Sequence, residues 1–150
     1  MISKILVALD GSEHANHALT YALDLAEKYS ASITLLSVVH HTVYIPSTGD
    51  SMNFVTPQVI QDCMEAEKMQ KEEILSHALE KIKKGKPTLT VTTKLKEGRP
   101  ADKIMETAKE ENVDMIVMGS RGVGGIKQLF LGSVSDRVAD EAPCPVLIIK

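Results

Sequence analysis

Five short apolar runs alternate with four stretches whose apolar residues recur at spacings of three and four, and this alternation constrains the fold most. Ile2 to Leu9 is the first run, with Lys4 as its only charge, and it ends in the turn signal Asp10-Gly11-Ser12. Ala15, Ala18, Leu19, Ala22, Leu23 and Ala26 then mark a helix, with Ser12 or Asp10 placed to cap it. Ser32 to Val39 is β-branched and apolar, a second strand. A long helix is expected from about Val59 to Lys84, ended by Gly85 and Pro87. Leu89 to Leu95 alternates as a third strand. Pro100 opens a helix through Ile104, Met105 and Ala108, Asp114 to Met118 is a fourth strand, Lys127 to Asp140 a fourth helix, and Val146 to Ile149 a fifth strand.

Strand–helix alternation demands parallel neighbours joined by right-handed crossovers. The expected fold is therefore α/β: an open, doubly wound, five-stranded parallel sheet, Rossmann-like, in strand order 3-2-1-4-5. With no linker and no internal repeat, residues 1–150 read as a single domain. Such sheets bind ligands beyond the carboxyl ends of their strands, where the strand order reverses. Only His40 to Pro57 breaks the rhythm, with two prolines and a Gly49-Asp50 turn signal. A loop of that length is often functional.

Composition excludes several classes. The net charge is −3 and the pI about 5.9, which argues against a nucleic-acid partner. Lys81, Lys83, Lys84 and Lys86 read as the solvated end of the long helix. Cys63 and Cys144 are too few and too far apart for a disulfide scaffold. Both read as small core residues, and reduced thiols fit a cytoplasmic location. The first twelve residues are apolar only briefly, so no signal peptide is expected. No apolar run approaches the roughly 20 residues that would span a membrane. Met64, Met69 and Met105 read as core fillers, and His40 and His41 as surface loop residues.

The chemistry concentrates after the fourth strand. Four of the nine glycines, Gly119, Gly122, Gly124 and Gly125, fall within seven residues. Glycine permits positive φ and close approach of a ligand. Successive N–H groups in such a turn, followed by a helix N-terminus, form an anion cradle. The P-loop pattern fails, because no Gly-Lys precedes Ser or Thr in this loop. The dinucleotide pattern starting at Gly122-Val123-Gly124 fails at Lys127 and follows the wrong strand. What fits is Gly119, two residues, Gly122, nine residues, then Gly132-Ser133. At average residue usage this pattern arises by chance in about 1% or less of chains this long.

The pattern G-x2-G-x9-G-[ST] resembles that of the universal stress protein family, in its ATP-binding branch. The opening Ile5-Leu6-Val7-Ala8-Leu9-Asp10-Gly11-Ser12, the stretch Leu129 to Ser135 and the ending Ala142-Pro143-Cys144-Pro145-Val146-Leu147 are similar to the family as well. The resemblance covers the whole chain and implies an adenine nucleotide alpha hydrolase-like fold. It implies a stress-response regulatory protein that binds ATP or AMP. Ala8, Leu9 and Val38 would line the adenine side, and Met118 and Gly119 would flank base and ribose. Asp10 would meet ribose, phosphates or a bound Mg²⁺ or Mn²⁺. Gly122, Gly132, Ser133 and Val134 would contact ribose and phosphate. Gly124 and Ser135 join them as members of the same loop and helix start. Arg121 is added for its charge alone, and Lys127 reads as a solvated first-turn lysine. The family often carries proline where this chain has Ala8.

Catalysis finds little support. There is no G-x-S-x-G elbow, and neither cysteine has an evident base. At most a slow ATPase or nucleotidyl-transfer activity is the alternative, and a nucleotide-free stress protein acting by protein contacts is another. The apolar final strand is expected at a sheet edge, where a second copy would cover it. The resemblance likewise implies a homodimer through Val146–Ile149, with a signalling partner that stays unknown.

Overall fold

The computed structural model describes residues 1–41, 56–124 and 130–150. Lys127, and all but the ends of the 40–57 loop, lie outside these residues. The elements run β1 (Lys4–Ala8), α1 (Glu13–Tyr29), β2 (Ser32–Val39), α2 (Pro57–Gly85), β3 (Val91–Glu97), α3 (Pro100–Glu110), β4 (Met115–Gly119), α4 (Ser133–Glu141) and β5 (Val146–Ile149). The strands form one sheet in the order β3-β2-β1-β4-β5, and every pairing is parallel. This is the expected architecture.

Central strands buried on both faces split the core in two. Ile5, Val7, Leu35 and Val117 pack with α1 and the second half of α2. Leu6, Leu36, Ile116 and Met118 pack with α3 and α4. Neighbouring residues of β1 and β4 therefore serve opposite cores, as strand geometry requires. Short side chains let α1 sit close to the sheet, because Ala15, Ala18, Ala22 and Ala26 form its buried stripe. The Ser12 side chain caps α1 by accepting from the Ala15 N–H at 3.2 Å. Ser30 ends it in the left-handed region at φ 56°.

Several boundaries differ from the sequence reading. β3 starts and ends two residues later, because Leu89 still belongs to the turn whose N–H bonds the Lys86 carbonyl. α2 is longer at both ends, with the Thr56 hydroxyl as its N-cap. The first half of α2 is largely exposed: Cys63 is exposed, and Met64 and Met69 are 36% and 69% exposed. These three are not core residues. The helical period persists there, but among the described residues no second layer lies over that part of the helix. Cys144 does pack against the α3/α4 core, and burial pushes its thiol above the ordinary range.

The fourth helix starts at Ser133, not at Lys127. Gly132 is extended at φ −72° and ψ 160°, and its N–H is held by the Ser120 carbonyl at 2.7 Å, so helical hydrogen bonding begins only beyond it.

The close approach of α1 to β4 sets one residue type outright. A Cβ on Gly119 would lie 2.7 Å from the His14 main-chain carbon and 2.8 Å from the Ala15 nitrogen. Backbone cannot yield as a side chain does. Gly119→Ala is expected to lower stability by about 1–3 kcal/mol, read from urea unfolding. An unchanged midpoint would show that α1 shifts freely.

Candidate functional site

A cleft of about 320 Å³ opens at the carboxyl ends of β1, β2 and β4. It lies where the strand order reverses, between β1 and β4. Its volume is at the lower end of the range for small-molecule sites.

The strand ends supply an apolar floor. Ala8 and Leu9, Leu36 and Val38, and Met118 reach the cleft from three adjacent strands. Pro100 and Ile104 extend this surface from the start of α3. The Ser37 hydroxyl donates to the Leu9 carbonyl at 2.7 Å, and the Leu9 N–H donates to the Leu36 carbonyl at 2.8 Å. These bonds hold the ends of β1 and β2 together after the ladder stops.

The glycine pattern closes on itself. The Ser120 carbonyl accepts from both the Gly132 N–H and the buried Ser135 hydroxyl, each at 2.7 Å. The chain thus returns, after the intervening residues, to the point where it left the sheet. Gly119, Gly122, Gly132 and Ser133 line one cleft on either side of that clamp. Because Gly132 is the N-cap, no capping side chain covers the first-turn amides of α4. The helix dipole enters the cleft there, from Ser133 rather than from Lys127. Gly124 has φ +88°, a conformation that favours glycine.

Asp10 joins the two halves. Its carboxylate accepts the Ser12 N–H at 2.9 Å through Oδ1 and the Val123 N–H at 3.0 Å through Oδ2. A Cβ on Gly122 would sit 2.6 Å from that second oxygen, so glycine admits the carboxylate to the loop. The Ser12 hydroxyl lies 3.4 Å from the Arg121 carbonyl, a further tie between α1 and the loop.

All thirteen residues expected at the nucleotide line this one cleft: Ala8, Leu9, Asp10, Val38, Met118, Gly119, Arg121, Gly122, Gly124, Gly132, Ser133, Val134 and Ser135. Ser135 lines it differently from Ser133. The Ser135 hydroxyl is turned to the Ser120 and Gly132 carbonyls, whereas Ser133 is exposed at the start of α4.

Sequence reasoning missed the contribution of α2. Glu67 and Lys71 line the cleft, and both are half-buried on an otherwise exposed stretch of helix. Their spacing of four, one helical turn, was a signal, but it lay in a charged run that reads as a solvated face. His40 lines the cleft as well. Its N–H donates to the Glu67 carboxylate at 2.9 Å, and its ring Nδ1 lies 3.2 Å from the Gly98 carbonyl. Among the described residues, no group of three or more His, Cys, Asp or Glu could hold a metal ion. Nor is any helix long and apolar enough to cross a membrane.

The Asp10 bridge is directly testable. In Asp10→Ala the Val123 N–H loses its acceptor, and a hydrogen bond to a charged group protects an amide by about tenfold or more. Val123 hydrogen exchange, followed by NMR, is expected to accelerate accordingly. Unaltered exchange would mean that the loop is held without Asp10.

Comparison with known proteins places this cleft in context. The family model described as "Universal stress protein family" matches residues 1–150. The chain is similar to universal stress protein YxiE of Bacillus subtilis, 37% identical over 151 residues with both chains fully covered. Its fold is similar to that of the universal stress protein UspA from Lactobacillus plantarum, at a TM-score of 0.80 and 28% identity. That match covers 99% of this chain and 97% of the other. It is also similar, at a TM-score of 0.69 and 25% identity, to a universal stress protein solved in complex with cAMP. The coverage there is again 99% and 97%.

Proposed function

Since the chain belongs to the universal stress protein family, we propose that its cleft binds an adenine nucleotide, ATP or AMP, and that the protein acts as a stress-response regulator through the bound state. The observation that carries this reading is the joining of two unlike surfaces. An apolar floor from three strand ends meets a glycine loop and an uncapped helix start. A flat base suits the first, and phosphate oxygens suit the second. The cAMP complex of a structural relative supports the same ligand class.

In this reading the adenine rests against Ala8, Leu9 and Val38, with Met118 and Gly119 beside base and ribose. The phosphates take the amides of Gly122 and Gly124 and those of Ser133, Val134 and Ser135, with Gly132, whose own N–H is held by Ser120, leaving the approach to them open and Arg121 adding charge. Asp10 offers a single carboxylate, enough for a Mg²⁺ or Mn²⁺ ion that takes most of its ligands from phosphate and water. The Asp10 and Glu67 carboxylates at the cleft already accept backbone N–H groups, which favours binding over rapid turnover. Calorimetry with ATP, AMP and cyclic AMP in the presence of Mg²⁺ tests this, followed by phosphate release. Absence of binding at millimolar nucleotide would defeat the proposal, and release faster than about 1 per second would favour an enzyme. Gly122→Val places a branched side chain against the Asp10 carboxylate. It is expected to abolish binding while leaving the unfolding midpoint close to that of the native chain.

The readout we propose is a homodimer through β5 in the cytoplasm. Among the described residues β5 pairs only with β4, and Val146, Leu147, Ile148 and Ile149 are all half-buried. An apolar edge strand of this kind invites a two-fold copy. Light scattering at micromolar concentration is expected to give twice 16.3 kDa, and a monomeric mass would refute the dimer.

A further inference from the structure

Lys71 stands at the cleft and, among the described residues, has a carbonyl rather than a carboxylate as its partner. It is half-buried, and its Nζ meets the Asp10 main-chain carbonyl at 3.3 Å. Among the described residues no carboxylate forms an ion pair with it. Glu67, one helical turn earlier and facing the same cleft, accepts the His40 N–H instead. The Asp10 carboxylate accepts the amides of Ser12 and Val123. An ammonium group carries three donors and favours an anion when partly withdrawn from water.

The position of that ammonium is informative. It lies beside the main chain of the residue whose side chain reaches the Gly122–Val123 turn. A phosphate chain running from the loop amides toward α2 would meet two carboxylates, Asp10 and Glu67, and would be repelled unless a cation stood with them. The loop amides and the α4 dipole carry only partial charges, and Arg121 adds a single full one. Each further phosphate adds full negative charge.

Resting on the nucleotide reading above, we propose that Lys71 recognises the distal phosphates of a nucleoside polyphosphate and so sets the preference for tri- over monophosphate. The glycine loop and α4 hold the first phosphate, and α2 reads the number of phosphates beyond it. Lysine suits the task, because a compact charge on a flexible stem can follow oxygens whose positions differ between ligands.

The test compares ATP, AMP and adenosine by calorimetry at matched ionic strength, in the native chain, Lys71→Met and Lys68→Met. Lys68 is exposed on the same helix, and its replacement removes the same charge. A charge-assisted hydrogen bond lost in Lys71→Met is expected to weaken ATP about tenfold or more, and AMP less than about threefold. Adenosine and the Lys68→Met affinities should stay unchanged. Should Lys71→Met unfold, Lys71→Gln keeps a polar tip and must show the same narrowing of the ATP-to-AMP ratio. Equal loss for ATP and AMP, no loss, or an equal effect from Lys68→Met would overturn the role of Lys71 while leaving the nucleotide reading in place. If the native chain binds none of the three ligands, the nucleotide reading fails and this inference with it.

Discussion

Parallel pairing of β1 with β2 on one edge and with β4 on the other is the constraint from which the site follows. Right-handed crossovers from a strand so placed must send their helices to opposite faces of the sheet. The chain after β1 and the chain after β4 therefore diverge, and their carboxyl ends leave an opening that no helix fills. The cleft is that opening. Its floor is apolar because the strand ends continue the two cores, and its rim is polar because the backbone has left the hydrogen-bond ladder there.

The rim needs its own means of closure. Main-chain groups beyond a strand end lose their ladder partners and must find others. Here the Ser120 carbonyl takes two donors from the far end of the loop, and the Asp10 carboxylate takes one amide from each of two segments. Both devices depend on missing side chains. Gly119 admits α1, and Gly122 admits the Asp10 carboxylate. One glycine pattern thus serves two ends, close packing at its first position and an open backbone surface later. A pattern that reads simply as phosphate-binding is partly a packing requirement.

The electrostatics of the cleft come from three elements distant in sequence. Asp10 follows β1, Arg121 follows β4, and Glu67 and Lys71 stand on α2. Charges of both signs are thus gathered at one cleft. Charge beside an apolar surface discriminates between ligands of different charge better than the surface alone can.

The order of strands and helices could be read from the sequence, because hydrophobic period is a local property and the buried faces repeat it faithfully. The glycine pattern was legible for a related reason: Gly132 returns to Ser120, beside Gly119, so residues close in sequence end at one cleft. Period alone failed wherever burial was decided by something distant. Cys63, Met64 and Met69 keep a helical spacing, yet among the described residues no layer covers that half of α2. The start of α4 depended on a hydrogen bond between Gly132 and Ser120 that no local pattern records. Glu67 and Lys71 belonged to a charged helix until the crossover carried that helix past the end of β1. Sequence determined which segments would be strands, which would be helices, and where backbone would lie bare. Tertiary structure decided which charges face that bare backbone, because a helix face acquires a neighbour only when the sheet order is set.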